Sequence, residues 1–341
     1  MIKYLFLFFQ FFFFSNLFAQ DMQFSQYYAN SLYLNPAFTG AIPHSRVAVN
    51  YRLQWPELPV AFSNYSISYD FNASNLNSGF GVLVNADRAG SANLRNTSAA
   101  LNYSYTVQWE DKFVIKPGIS FGYVNRTLDF NGLIFGDQID FGIGGAPTQD
   151  PVASEIRNIN FLEFGSGILL YNKSFWAGFS AFHINEPNNS LLSGTSTLPM
   201  KLSLHAGFRK KLGDSRFNTK RASISPSFIY KIQGEFHQLD LGANIHYEPI
   251  ILGLFYRGIP IVEIENNQIN HDALILVFGF ELDRFRFGYS YDFTISNLGS
   301  SAGGAHEFSL VYQFKINSKK SLRANDRKYL QCPAFIEFKK E

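Results

Sequence analysis

Residues 284–293 read Arg-Phe-Arg-Phe-Gly-Tyr-Ser-Tyr-Asp-Phe. Successive side chains of an extended strand point to opposite faces. One face therefore carries Phe285, Phe287, Tyr289, Tyr291 and Phe293, and the other Arg284, Arg286, Gly288, Ser290 and Asp292. A face of rings backed by a polar or small face fits a wall with lipid on one side and water on the other. The pattern recurs along most of the chain. Val47, Val49 and Tyr51 oppose Arg46, Ala48, Asn50 and Arg52, and Tyr65, Ile67, Tyr69 and Phe71 oppose Asn64, Ser66, Ser68 and Asp70. Leu101, Tyr103, Tyr105, Val107 and Trp109 oppose Asn102, Ser104, Thr106 and Gln108, and Phe308, Leu310, Tyr312 and Phe314 form the last apolar face.

About fourteen such segments of roughly ten residues follow Ser45, the length a tilted strand needs to cross a bilayer. The expected fold is an all-β, antiparallel outer-membrane barrel over residues 45–316. A soluble β-sandwich also alternates. Three features oppose it. The apolar faces are rich in Phe and Tyr rather than Val and Ile. The segments exceed the five or six residues usual for soluble strands. Connections after even strands are mostly tight (110–111, 172–173, 248, 283), and those after odd strands mostly long (129–159, 185–200, 259–271, 296–305). The short connection at 233–235 and the longer one at 213–220 break that rhythm. An even strand number puts both termini at the periplasmic rim and the long loops outside. A fourteen-stranded lumen is too wide for its own wall side chains to fill, so a loop, the N-terminal segment or a partner is expected inside.

Composition agrees. Aromatic residues are 17 % and charged residues 16 % of the chain, the latter well under the roughly 25 % of soluble domains. Mean hydropathy is still an ordinary −0.07, because alternating faces cancel. Beyond the N-terminus no apolar run approaches the about 20 residues of a membrane helix. A net charge of +2 gives no support to a nucleic-acid partner, and the single Cys332 excludes an internal disulfide. Residues 1–19 read as a signal peptide, with Lys3, an apolar stretch over 4–14, and Leu17-Phe18-Ala19 before the cleavage point. The expectation is export and removal, with no lipoprotein cysteine behind it.

Residues 22–40, MQFSQYYANSLYLNPAFTG, carry Gln23, Phe24, Ser25, Gln26, Tyr27, Tyr28, then Asn35, Pro36, Ala37 and Gly40. This start resembles the opening signature of the PorP/SprF family of Bacteroidota outer-membrane proteins, and Cys332-Pro333-Ala334-Phe335 after a basic linker is similar to the family's C-terminus. The resemblance implies a component of the type IX secretion system and of gliding motility. It would partner a secreted adhesin-like substrate with a type IX sorting domain, and a periplasmic peptidoglycan-associated component. By their own chemistry Asn35-Pro36 favours a turn and Gly40 permits positive φ. Tyr27, Tyr28, Tyr33 and Phe38 are too many rings for a solvated tail. The segment 20–44 is thus expected at the periplasmic mouth, as a plug or as a lead-in that completes barrel packing. The tail 317–341 is expected to dock a periplasmic partner through Arg323, Arg327 and Lys328, with Cys332, Pro333, Phe335 and Phe338 as an apolar anchor.

Catalytic chemistry is not apparent. The seven histidines match no zinc spacing. His237 near Asp240 and His306 beside Glu307 are the pairs an outer-membrane enzyme would use. Residues 142–146 lack the Lys-Ser/Thr of a phosphate loop, and Asp137, Asp140 and Asp150 lack the closing Glu of a calcium loop. No catalytic residue, metal site or cofactor is expected. Arg46, Arg52, Arg126, Arg209, Arg286, Asp70, Asp240, Asp292 and Glu307 share the lumen-facing register with both signs of charge, which suits ion pairing across the lumen better than ion selectivity. Three functions stay open: a secretion anchor, a passive small-solute pore and an outer-membrane enzyme.

Overall fold

The computed structural model describes residues 21–335, apart from 59–60, 91–92, 111, 130–134, 141–147, 156, 213–221, 265–267, 297–301 and 315–330. The signal-peptide reading of residues 1–19 lies outside them.

The strands are β1 (Ser45–Gln54), β2 (Phe62–Ala73), β3 (Ser78–Ala89), β4 (Leu94–Tyr105, resuming at Val107–Trp109), β5 (Phe113–Thr127), β6 (Ile159–Tyr171) and β7 (Phe175–Phe182). There follow β8 (Lys201–Phe208, resuming at Lys210–Leu212), β9 (Ala222–Gln233), β10 (Phe236–Tyr247), β11 (Ile250–Ile264), β12 (Gln268–Leu282), β13 (Phe285–Thr294) and β14 (Ala305–Phe314). Each strand pairs antiparallel with the next, and β14 returns to β1 with Phe314 opposite Ser45 and Ala305 opposite Gln54. The result is a closed fourteen-stranded barrel. Closure is what a bilayer demands, since an open edge would leave backbone groups unpaired in hydrocarbon.

Burial is inverted relative to a soluble protein. Arg46, Asn50, Arg52, Asp70, Arg286, Asp292 and Glu307 are all buried, whereas Tyr65, Ile67, Leu101, Tyr103, Phe121 and Phe285 are exposed. Large rings on the outside and guanidinium groups within have no rationale in water and a direct one in lipid. Two packed sheets sharing an aromatic core, the sandwich alternative, are not what the chain forms.

Ser45 and Phe314 lie at one rim, here the terminal rim, with the short connections 74–77, 110–112, 172–174, 248–249 and 283–284. The opposite rim carries 128–158, with short helices at Gly136–Asp140 and Pro151–Glu155, and 183–200. One expected loop is mostly strand. Residues 259–271 continue the β11–β12 ladder to Ile264 opposite Gln268, past register shifts after Arg257 and Ile259. Gly258, at φ 145°, and Pro260 mark an irregular ladder there rather than its end.

Candidate functional site: the filled lumen

The N-terminal segment runs through the lumen from one rim to the other. Asp21 stands at the loop rim, where its carboxylate accepts from Lys201 Nζ at 2.7 Å and pairs with His183 Nε2 at 2.8 Å. Burial acts to raise the pKa of this carboxyl, but Lys201 and then His183 outweigh it and hold it well below the usual carboxylate range. The segment was expected at a single mouth. Its reach to both rims follows from the length of an extended chain, up to about 3.3–3.6 Å per residue.

Ser25 and Gln26 sit deeper, among charges from five strands. The Glu307 carboxylate accepts from both backbone amides, Ser25 N at 2.7 Å and Gln26 N at 3.0 Å. Ser25 Oγ donates to Asp292 at 2.8 Å and accepts from Arg52 Nη1 and Arg257 Nη2, each at 2.9 Å. Arg52 also pairs with Asp292 at 2.7 Å, and Arg257 with Asp292 at 2.9 Å and Asp240 at 2.8 Å. Gln26 is fully buried. Its amide donates to the Glu307 carbonyl at 3.0 Å, and its carbonyl accepts from Ser309 Oγ at 2.6 Å. Phe24 meets Tyr33 edge-to-face, and Tyr27, bonded to Ser227 Oγ at 2.9 Å, meets Phe255 likewise. Tyr28 donates to Gln26. Lumen charges of both signs are therefore committed to holding backbone and hydroxyl groups of one segment.

After a helical turn, Ser31–Leu34, Asn35 starts a second turn by accepting from Ala37 N at 2.8 Å. Its amide donates to the wall carbonyls of Ile168 (3.2 Å) and Phe179 (3.1 Å). Pro36–Phe38 forms a 3₁₀ turn, and Gly40, at φ +60°, donates to Asp70 at 2.8 Å. Asp70 in turn holds Arg46 at 2.8 Å. The wall beneath this turn is made of glycine. A Cβ on Gly79 would overlap the Thr39 carbonyl, one on Gly118 the Ala37 backbone, and one on Gly167 the Asn35 side chain. Backbone is thus seated directly on backbone.

Residues 332–335 of the tail lie at the terminal rim, with Cys332 N donating to the Ala41 carbonyl. Cys332, Pro333, Ala334 and Phe335 are buried, with the Phe335 ring edge-to-face on Phe38 at 5.5 Å and under the Arg46 guanidinium at 4.5 Å. Burial pushes the Cys332 thiol up to about 12. Cys332, Pro333 and Phe335, expected as an apolar anchor for a partner, are here buried against the chain's own plug and wall. Arg323, Arg327, Lys328 and Phe338 lie outside the described residues.

The other candidates separate. His237 bonds Tyr230 and His306 bonds Tyr289 on the outer face, while Asp240 and Glu307 face the lumen. Residues an odd number apart along a strand point to opposite faces, so neither pair can meet. Asp137 accepts from Thr148 Oγ1 at 2.8 Å and Gln149 N at 2.6 Å, organising its own loop. Among the described residues no group of three potential ligands is placed to hold a metal. The sequence reading missed Arg257, Lys116, Lys201, Lys231 and Glu281 as lumen residues, although their register gives them away. It also missed the apolar lumen wall of Ile251, Phe255, Ile275 and Val277. The unbroken apolar runs 250–256 and 273–278 were the available signal, since such a strand is covered on both faces.

A family described as type IX secretion system membrane protein PorP/SprF matches residues 16–312. The chain belongs to this family. That assignment covers the plug and nearly all of the barrel together. The PorP/SprF chain is also similar in fold to solved outer-membrane barrels. The Ralstonia pickettii toluene transporter TbuX is 9 % identical, with TM-score 0.49 over 85 % of this chain and 94 % of its own. The P. putida toluene transporter TodX is 10 % identical, with TM-score 0.44 over 83 % and 93 %. A Rh. blastica porin mutant is 9 % identical, with TM-score 0.33 over 79 % and 99 %. Likeness at these levels bears on architecture alone. No curated protein sequence matches the chain.

Proposed function

We propose that this PorP/SprF protein is a non-enzymatic anchor of the type IX pathway. It holds or helps export a secreted, gliding-adhesin-like substrate with a type IX sorting domain at the loop rim, which faces outward. It meets a peptidoglycan-associated partner at the terminal rim, which faces the periplasm. Its signal peptide is removed on export. The observation that carries this reading is the filled lumen: the charges a pore would present to solutes, among them Arg52, Arg257, Asp292 and Glu307, are spent on Ser25 and Gln26. A barrel built so is a platform rather than a channel. With Cys332 and Phe335 turned inward, the periplasmic contact falls to the basic residues Arg323, Arg327 and Lys328, and to Phe338.

The test is made in cells. Replacing Arg323, Arg327 and Lys328 with Ala should leave barrel assembly intact and cut surface display of the cognate secreted protein several-fold. Gene deletion should abolish that display. Normal display in the deletion strain, together with a change in small-solute uptake, would turn the assignment to a pore.

A further inference from the structure

Two stretches of this chain end in Pro-Ala-Phe: Asn35-Pro36-Ala37-Phe38 and Cys332-Pro333-Ala334-Phe335. They fold the same way. Phe38 N donates to the Asn35 carbonyl at 3.1 Å, and Phe335 N donates to the Cys332 carbonyl at 3.1 Å. All eight residues are buried, and the two rings meet with planes 81° apart. Yet the two turns are held in different ways. The first precedes β1 directly and lies on the glycine wall. The second is joined to β14 through residues 315–330 of the sequence, and its contacts among the described residues are of the kind a peptide makes with a receptor.

Its backbone supplies one acceptor and one donor. Arg209 Nη1 donates to the Phe335 carbonyl at 2.7 Å, and Cys332 N donates to the Ala41 carbonyl at 3.4 Å. Its ring fills the space between Phe38 and the Arg46 guanidinium. That guanidinium is fixed by Asp70 and Ser31 through Nε and Nη2, while its buried Nη1 has no hydrogen-bond partner among the described residues. Every group of this socket belongs to the plug or the wall, and none to the tail. A cation over an aromatic face holds more strongly in a desolvated site than at a wet surface, and one buried ring in a pocket commonly dominates the affinity of a short segment.

We propose that Phe38, Ala41, Arg46 and Arg209 form a peptide-binding socket for a Pro-Ala-Phe turn. The chain's own Cys332–Phe335 fills it as an internal ligand, and another polypeptide presenting the same turn takes it in competition with the tail. This goes beyond the anchor assignment. It concerns the purified barrel alone, so its failure would leave the secretion assignment standing, and the reverse.

The probe is a fluorescein-labelled peptide of residues 330–338 carrying Cys332→Ser, titrated by fluorescence anisotropy in detergent. The barrel lacking residues 331–341 should bind it saturably. The intact chain should bind at least tenfold more weakly, because the tethered turn competes. Phe335→Ala in the peptide, or Arg209→Ala in the truncated barrel, should each cost tenfold or more. Heat-modifiable mobility in SDS gels reports that the truncated barrel is folded. If it is not, the full-length Phe335→Ala variant takes its place and should bind the labelled peptide that keeps Phe335. No binding by the folded variant, or equal binding by variant and intact chain, overturns the proposal.

Discussion

The Ser25 hydroxyl donates once, to Asp292, and accepts twice, from Arg52 and Arg257, which exhausts its capacity. Removing it leaves one carboxylate and two guanidinium groups each short of a bond, at a point where Asp292 and both arginines are buried. A buried polar group left without its partner costs about 1–3 kcal/mol, more when charged. Ser25→Ala should therefore lower the heat-modifiability midpoint of the purified barrel by several degrees and leave its outer-membrane insertion unchanged. An unaltered midpoint would mean that the arginines and Asp292 close among themselves without the hydroxyl. Cys332 offers a second reading at this scale. A thiol pushed up to about 12 by burial holds almost no thiolate at neutral pH. Maleimide should label it slowly in the native protein and rapidly after heating in SDS. Phe335→Ala, which opens the socket above it, should bring native labelling close to the denatured rate. Rapid labelling of the unaltered native chain would place the turn outside the mouth.

At the scale of elements, the strands were legible because a period of two in side-chain character is a local property. Residues 284–293 announce both faces of β13 without reference to any other part of the chain. The plug was only half legible. Tyr27, Tyr28 and Phe38 show that residues 22–40 need burial, but nothing in that stretch says how deep it goes. Depth is set by partners far away in sequence, Lys201 at one end and Gly118 and Asp70 nearer the other. The tail misled for a related reason. A lone apolar turn after a basic linker looks the same whether it meets a partner or its own barrel, and only the matching Asn35–Phe38 turn distinguishes the cases. The wall glycines make the plug's seat testable. Gly118→Ala puts a methyl into the Ala37 backbone, whereas Gly136→Ala, with nothing within 4 Å of its Cβ, is a matched control. The first should expose residues 21–40 to added protease with the barrel still intact, and the second should leave them protected. Equal protection in both would show that the wall yields and that the glycines are not what admits the segment.

For the whole molecule, closure of fourteen strands creates a lumen that the wall side chains alone do not fill. Lipid stabilises the outer surface but contributes nothing inside, so the interior has to be satisfied by the protein itself. The chain does this with its two ends. One ties β1, β11, β13 and β14 through Ser25 and Gln26 and seats Asn35 against β6 and β7, while the other caps the terminal rim through Phe335. The plug is then part of the barrel's cross-bracing, and its removal should do two things together. In planar bilayers the intact protein should show no stable conductance steps. A variant lacking residues 21–40 should show them, with weak ion selectivity, because the freed wall keeps Arg46, Arg52 and Arg257 beside Asp70, Asp240, Asp292 and Glu307. The same variant should lose resistance to heat in SDS, since buried charges held by the plug would face water without their partners. Steady conductance from the intact protein would refute the filled lumen. A plugless variant as heat-resistant as the parent would show that the segment occupies the interior without bracing it.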